Sequence, residues 1–155
     1  MRAEDESIIH VTPNASWLPP GSRAEVLRLA IPPQPLCAVR LLLRRGDRVF
    51  CVPRSGTGRL DLPTCFVGAD DPAGAATVAT LAQEITAETS PLTFVGVVRN
   101  VVESPTSDYP WPTPHAHFGL WSSEGAPIIE GSWVTVGGDS PLRARHWYPL
   151  VADPG

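Results

Sequence analysis

The sequence contains no lysine: all 12 of its basic residues are arginine. It also has only 3 cysteines and 1 methionine among 155 residues. No basic tract or basic helix is present and the formal net charge is −4, so nucleic acid and anionic membrane surfaces are not expected as partners. No apolar run approaches the roughly 20 residues that a membrane-spanning helix needs.

The three cysteines, Cys37, Cys51 and Cys65, are widely spaced and odd in number. This pattern predicts buried thiols in a reduced, cytoplasmic protein and is not typical of a disulfide framework. The first residues are acidic and polar with no apolar run after them, so we expect no secretory signal peptide. With 43% hydrophobic residues, the chain is predicted to form one domain with its own core.

Prolines divide the chain near residue 35. Residues 1–35 are predicted to form an N-terminal arm that packs on the domain, because Ile8, Ile9 and Trp17 need apolar partners. Within this arm, residues 25–30 fit either a strand or one helical turn. Residues 36–155 are predicted to be the domain itself.

Residues 36–53 are predicted to form a β-hairpin. Apolar residues alternate with Arg40 and Arg44 in its first half, which is typical of a half-buried strand, and Gly46 lies in the turn. Further strands are predicted over residues 92–102, 115–121 and 133–136, and residues 103–114 are predicted to form a structured Pro-rich loop.

Residues 68–91 are predicted to contain an amphipathic helix with Asp71 as N-cap and Pro72 at its first position. Glu84 and Glu88 are four residues apart, so their carboxylates stand on one side of the helix. On an exposed helix such a pair is a solvated face that costs about 0.2–0.5 kcal/mol through repulsion. Facing a cleft, it is a seat for a hard divalent cation. The face predicted to be buried consists of Val78, Leu81, Ala82 and Ile85.

Residues 83–90, QEITAETS, resemble the second half of the box motif of the Nudix hydrolase family. Glu84 and Glu88 match the two box glutamates that bind magnesium. Gln83, Ala87 and Ser90 stand where the box has an arginine, its middle glutamate and a glycine. The motif is therefore a degenerate Nudix box.

Two flanking segments strengthen the resemblance. Residues 60–63 are similar to the aromatic-x-Leu-Pro segment before the box, and residues 147–150 are similar to the Trp-x-Pro-Leu element that closes many Nudix domains. The resemblance implies an α+β or α/β fold, a Nudix-like α/β/α sandwich with a mixed β-sheet. It covers residues 36–150.

The resemblance implies a Mg²⁺-dependent hydrolase, with Mn²⁺ as an alternative cation, that cleaves a diphosphate linked to another moiety, such as a nucleoside diphosphate derivative. The degenerate box predicts that such an enzyme is slow or divergent. It also leaves a second function open, a catalytically impaired domain that binds a small ligand or a protein partner. A homodimer is compatible with either function.

The resemblance also implies a set of site residues. Glu84 and Glu88 would be catalytic residues and metal ligands, and Asp139 a further metal ligand, since it precedes the terminal Trp-x-Pro-Leu element at an interval similar to that of an acidic ligand in some family members. Arg54 and Arg59 are either a bidentate clamp for phosphate oxygens or solvated loop residues.

The Pro-rich loop and its neighbours hold further candidates. Tyr109 and Trp111 either stack on a base, sugar or prenyl group of the substrate or form a hydrophobic plug over the sheet edge. His115 and His117 point the same way from a strand, as zinc ligands or as packed side chains. Cys65 is predicted to be a buried structural thiol.

Overall fold

The computed structural model describes residues 6–54, 56–87 and 91–152, which form nine β-strands, two α-helices and one 3₁₀ turn. The helices are α1 (Ala75–Thr86) and α2 (Tyr148–Ala152), and the 3₁₀ turn spans Pro141–Ala144. The strands are β1 (Ser7–Pro13), β2 (Arg23–Arg28), β3 (Leu36–Arg45), β4 (Arg48–Pro53), β5 (Leu60–Asp61), β6 (Thr64–Phe66), β7 (Leu92–Val101), β8 (His115–Ser123) and β9 (Ser132–Thr135).

The strands form one mixed sheet in the order β1-β2-β7-β8-β3-β4-β5. β3 pairs parallel with β8 and antiparallel with β4, and the two remaining strands lie beside this path, β6 on β3 and β9 on β4. Parallel neighbours need a long crossover connection, and here it contains α1. The predicted mixed sheet is confirmed.

Each face of the sheet carries its own core. Successive side chains of a strand point to opposite faces, so Val39 and Leu41 belong to the core under α1, whereas Ala38 and Leu42 belong to the core under α2. The predicted α/β/α sandwich is therefore confirmed. The buried apolar residues of the helices are Val78, Leu81, Ala82 and Ile85 of α1, as predicted, and Leu150 and Val151 of α2.

β3 is buried on both faces. The alternation in its sequence predicts a half-buried strand, and this prediction is wrong. Residues 36–43 are all buried, because the strand lies inside the sheet with a helical layer on each side. Arg40 consequently lies in the interior with 6% of its surface exposed. Arg44 and Arg45, at the end of the strand, are exposed.

α1 begins later than predicted, because Gly74 and not Asp71 is its N-cap residue. Gly74 has a φ of +74°, and a Cβ at this position would lie 2.8 Å from Val39 Cγ1, so glycine is required. The Asp71 carboxylate still accepts a hydrogen bond of 2.7 Å from the Thr77 amide in the first turn. At the other end, Ala87 takes a φ of +58° and ends the helix.

The segment predicted as an N-terminal arm contributes two strands to the sheet. β1 pairs with β2, and β2 pairs antiparallel with β7, so residues 23–28 form a strand and not a helical turn. The connection between the two strands, residues 14–22, lies beside the cavity described below. Among the described residues, no helix is long and apolar enough to cross a membrane.

Candidate functional site

A cavity of about 770 Å³ opens on the face of the sheet that carries α2, and we call it the Arg40 cavity. Ala38 and Arg40 of β3 and Phe118 of β8 form its floor, and its walls come from residues 16–20, from residues 61–66 and from the Pro-rich loop. Cavities of about 300–1,000 Å³ are typical of small-molecule sites. Its size therefore suits a small ligand.

Aromatic side chains line one side of the Arg40 cavity. Trp111 packs edge-to-face on Phe118, with ring centroids 5.3 Å apart, and lies 5.7 Å from the ring of Phe66. Trp17 lies 5.4 Å from the His146 ring, and 46% of its surface is exposed. Partly exposed aromatic rings offer a planar or apolar ligand a surface for stacking.

Arg40 is a buried cation on the cavity floor. Its Nε has no hydrogen-bond partner in the described structure, and its Nη2 lies 3.4 Å from Nε2 of His146. Burial lowers the pKa of Arg40, and nearby Asp61 partly offsets this effect. The guanidinium remains charged because arginine is not deprotonated in proteins.

Two more arginines, Arg54 and Arg145, interact with the carboxylate of Asp61, and Arg59 lies beside Arg145. Arg54 Nη1 is 3.7 Å from Asp61 Oδ2. The pKa of Arg145 is lowered mainly by burial and further by the neighbouring Arg59 and Arg54. Arg40, Arg54 and Arg145 thus share Asp61 as a neighbouring carboxylate. Of the charged side chains near the cavity, two arginines and two aspartates line it: Arg40, Arg54, Asp61 and Asp108.

Asp61 of β5 links this strand to the C-terminal Trp-x-Pro-Leu segment through a hydrogen bond. The carboxylate is 2% exposed, and its Oδ1 accepts hydrogen bonds from the Leu62 amide at 2.8 Å and from the Trp147 indole N–H at 2.7 Å. Trp147 itself is fully buried. The Leu-Pro segment and the Trp-x-Pro-Leu segment are thus in contact with each other in the protein interior.

His146 is neutral near pH 7, because burial and the Arg40 charge lower its pKa to about 4. The Arg40 guanidinium can only donate, so we assign Nε2 of His146 as the acceptor and Nδ1 as the protonated nitrogen. Nδ1 is buried without a hydrogen-bond partner in the described structure. Arg40 Nε and His146 Nδ1 are therefore two buried donors that lack an acceptor.

Lowering the pH is expected to destabilise the fold through two histidines. Burial lowers the pKa of both His117 and His146 from 6.5 to about 4. Between these two pKa values the unfolded chain binds more protons than the folded chain. The contribution of the two histidines to the free energy of unfolding is therefore complete above pH 6.5 and is lost as the pH falls toward 4. Urea unfolding at about pH 7 and about pH 5 measures this loss. The double variant His117→Gln/His146→Gln should lose less stability between the two pH values than the wild type, and an equal loss contradicts the assignment.

The box carboxylates are not part of the Arg40 cavity as described. Glu84 is exposed on α1, which covers the opposite face of the sheet, and Asp139 is also exposed and does not line the cavity. Glu88 lies outside the described residues, so its pairing with Glu84 stays a prediction. Within residues 6–54, 56–87 and 91–152, no three His, Cys, Asp or Glu side chains come together as a metal site.

The other predicted site residues divide between the cavity and its surroundings. Arg54, Tyr109 and Trp111 line the Arg40 cavity, whereas Arg59 lies outside it beside Arg145. Their roles in substrate binding stay predictions. The rings of His115 and His117 lie 6.1 Å apart, at the start of β8.

Cys65 is exposed, contrary to the prediction of a buried thiol. All three residues of β6 are exposed, because the strand lies beside the main path of the sheet and pairs there with β3. Cys37 and Cys51 are buried, as predicted, and burial raises the pKa of Cys51 to about 12.

Sequence reasoning missed Arg40, Asp61, His146 and Trp17 as cavity residues. A signal for Arg40 was present, because a nearly continuous apolar run indicates a strand that is buried on both faces. A charge within such a run must be paired or face a cavity. His146 gave no local signal, since it meets Arg40 across 106 positions of the sequence.

No family model matches the sequence, and no curated protein matches it. Among solved structures, the chain is similar to the crystal structure of a mutant of the pyrophosphohydrolase BsRppH from Bacillus subtilis. The TM-score is 0.53, with 10% sequence identity, over 94% of this chain and 89% of that chain. At this identity the similarity shows the fold alone. The chain has a Nudix-like fold.

Proposed function

We propose that this Nudix-like domain binds a small organic phosphate in the Arg40 cavity. The observation that carries the proposal is the buried guanidinium of Arg40, whose Nε has no acceptor. Phosphate oxygens are acceptors that arginine binds with short, charge-assisted hydrogen bonds. The rings of Trp17 and Trp111 supply a surface for a planar or apolar group on the same ligand.

Binding is favoured over efficient hydrolysis by the position of the box helix. Glu84 lies on the far layer of the sandwich, exposed, and Gln83 and Ala87 replace the arginine and middle glutamate of the box. Catalysis depends on the placement of the reacting groups, and a displacement of about 1 Å can cost roughly a hundredfold in rate. These features support the function of a catalytically impaired domain that retains a ligand site.

The Trp111→Ala variant is expected to bind its ligand about 10–100-fold more weakly, because loss of one stacking ring costs roughly 1–3 kcal/mol. Ligands are first found by thermal unfolding with a panel of nucleotides, nucleotide sugars, prenyl diphosphates and phenyl phosphate, since a ligand of the folded state raises its stability. Titration calorimetry then compares the wild type with the variant.

Trp133→Ala is the matched control for this comparison. Trp133 packs on Phe50 with ring centroids 5.6 Å apart and lies under the Arg45 guanidinium at 4.2 Å, in the α1 core and outside the Arg40 cavity. The affinity of the Trp133→Ala variant should match that of the wild type. An equal loss of affinity in both variants, or a loss in neither, contradicts the proposed site.

Mg²⁺-dependent hydrolysis of a diphosphate linked to another moiety is a second candidate function. Two observations favour it: Glu84 is retained on the box helix, and the fold resembles that of a pyrophosphohydrolase. The described residues do not form a metal site by themselves, so we assign no catalytic step to the cation. Mn²⁺ is the alternative cation for the same test.

If the protein is a hydrolase, Glu88→Gln and Glu84→Gln are each expected to remove most turnover and leave the fold intact, since each change removes half of the anionic pair that would hold the cation. The measurement is the release of phosphate monoesters from nucleotide sugars and dinucleotides, and of free phosphate from prenyl diphosphates, with Mg²⁺ or with EDTA. Equal rates in wild type and variants exclude a role for the pair. No release, together with metal-independent binding, supports the binding function alone.

A further inference from the structure

The charged and hydrogen-bonding side chains of the Arg40 cavity indicate how its ligand is held. The inference that follows rests on the proposed function. We infer that the cavity binds the phosphate group of its ligand through the side-chain donors of two arginines and a histidine, without a divalent metal ion. The subsite consists of Arg40, His146 and Arg54, which all line the cavity.

Arg40 has no direct counter-ion in the described part of the chain. Asp61 is the nearby carboxylate, but its Oδ1 already accepts from Leu62 and Trp147, and its Oδ2 faces Arg54. A buried charge without a paired partner costs several kcal/mol. Natural proteins keep a destabilising group where it serves function. A bound anion would pair with the Arg40 charge and offset the loss of stability.

The hydrogen-bonding groups of the subsite select the same kind of ligand. Arg40 Nε and His146 Nδ1 are buried donors without an acceptor, and Arg54, with 55% of its side chain exposed, adds further donors at the cavity mouth. These groups are donors and two of them are cations, so the ligand that complements them carries negative charge and offers acceptor oxygens, as an ionised phosphate does.

The subsite does not offer a divalent cation the set of oxygen ligands that it prefers. The buried carboxylate of Asp61 already accepts from Leu62 and Trp147 and faces Arg54. The other carboxylate in the cavity lining, Asp108, accepts a hydrogen bond from Thr106, and no group of three acidic, His or Cys side chains forms among the described residues. The carboxylate that the box supplies, Glu84, belongs to α1 on the opposite face of the sheet, because Arg40 points away from the face that holds Val39 and Leu41. A metal ion bound by the box helix would therefore lie on the opposite face of the sheet from Arg40.

The test uses inorganic pyrophosphate as the probe, in EDTA, with thermal unfolding of the full chain. The wild type should gain stability with increasing pyrophosphate. Arg40→Met keeps an unbranched apolar stem and removes the charge and the donors, so the variant should bind pyrophosphate roughly 10–100-fold more weakly. In the absence of anions it should unfold at a higher temperature than the wild type, because the unpaired charge is gone. A merely structural arginine would instead make the variant less stable.

Arg48→Met, at an exposed arginine of β4, is the matched control and should respond to pyrophosphate as the wild type does. If Arg40→Met does not fold, Arg54→Met provides the second test, with weaker pyrophosphate binding expected and only a small loss of basal stability, since the Arg54 side chain is 55% exposed. A wild-type response that requires Mg²⁺ overturns this inference and leaves the proposed function standing. If neither pyrophosphate nor any organic phosphate stabilises the protein, with or without Mg²⁺, both fail. An equal response of the wild type and the folded Arg40→Met variant removes Arg40 from the subsite.

Discussion

Replacing Trp147 by alanine is expected to lower the free energy of unfolding by about 3–5 kcal/mol. Trp147 is fully buried in the core under α2, so the change removes a large apolar volume that its neighbours cannot refill. It also removes the indole N–H that donates to Asp61 at 2.7 Å. Urea unfolding near neutral pH, with the slope of the transition compared between the two proteins, measures the loss.

Trp147→Phe separates packing from the hydrogen bond. Phenylalanine keeps an aromatic ring in the core but has no N–H group, so the variant should lose less stability than Trp147→Ala. A loss of less than about 1 kcal/mol in Trp147→Ala contradicts the burial of this side chain. Equal losses in the two variants would assign the effect to the Asp61 hydrogen bond.

Replacing Asp61 by alanine is expected to cost about 3–5 kcal/mol, the range for removing one partner of a buried charged network. The change leaves the Leu62 amide and the Trp147 indole N–H without their acceptor. It also removes the carboxylate from among the guanidinium groups of Arg40 and Arg54. Chemical unfolding of wild type and variant gives the difference.

Asp61→Asn is the control for charge. Asparagine keeps an oxygen for the two donors, so this variant should be more stable than Asp61→Ala. Its cavity carries one more net positive charge than the wild type, and it should bind pyrophosphate more tightly. Weaker pyrophosphate binding by a folded Asp61→Asn variant would show that Asp61 itself holds the ligand.

Much of the fold could be predicted from the sequence, because local patterns determine it. The turn at Gly46 and the apolar spacing of residues 78–85 act over a few residues, and both the hairpin and the buried face of α1 are confirmed. The ends of α1 were less predictable. Asp71 has the sequence signature of an N-cap, but the close approach of Gly74 to Val39 sets the first turn, and that approach is a tertiary contact.

The candidate site could be predicted only in part. Arginine near a Leu-Pro segment and aromatics in a stiff loop indicate ligand contacts, and Arg54, Tyr109 and Trp111, predicted on this basis, line the cavity. The alternation predicts that Arg40 lies on the polar side of a half-buried strand, because alternation alone does not show that the second face is covered. Asp61 reaches Trp147 across 86 positions, a distance at which no local pattern operates.

The central claim is that the ligand occupies the Arg40 cavity on the α2 side of the sheet. The five tryptophans report on it directly, because Trp17 and Trp111 line this cavity, whereas Trp121 and Trp133 belong to the core on the α1 side. The measurement is an NMR titration of the indole N–H signals with phenyl phosphate in EDTA. We expect the Trp17 and Trp111 signals to shift while those of Trp121 and Trp133 stay in place. Shifts confined to Trp121 and Trp133, or shifts that appear only after Mg²⁺ is added, would contradict the account.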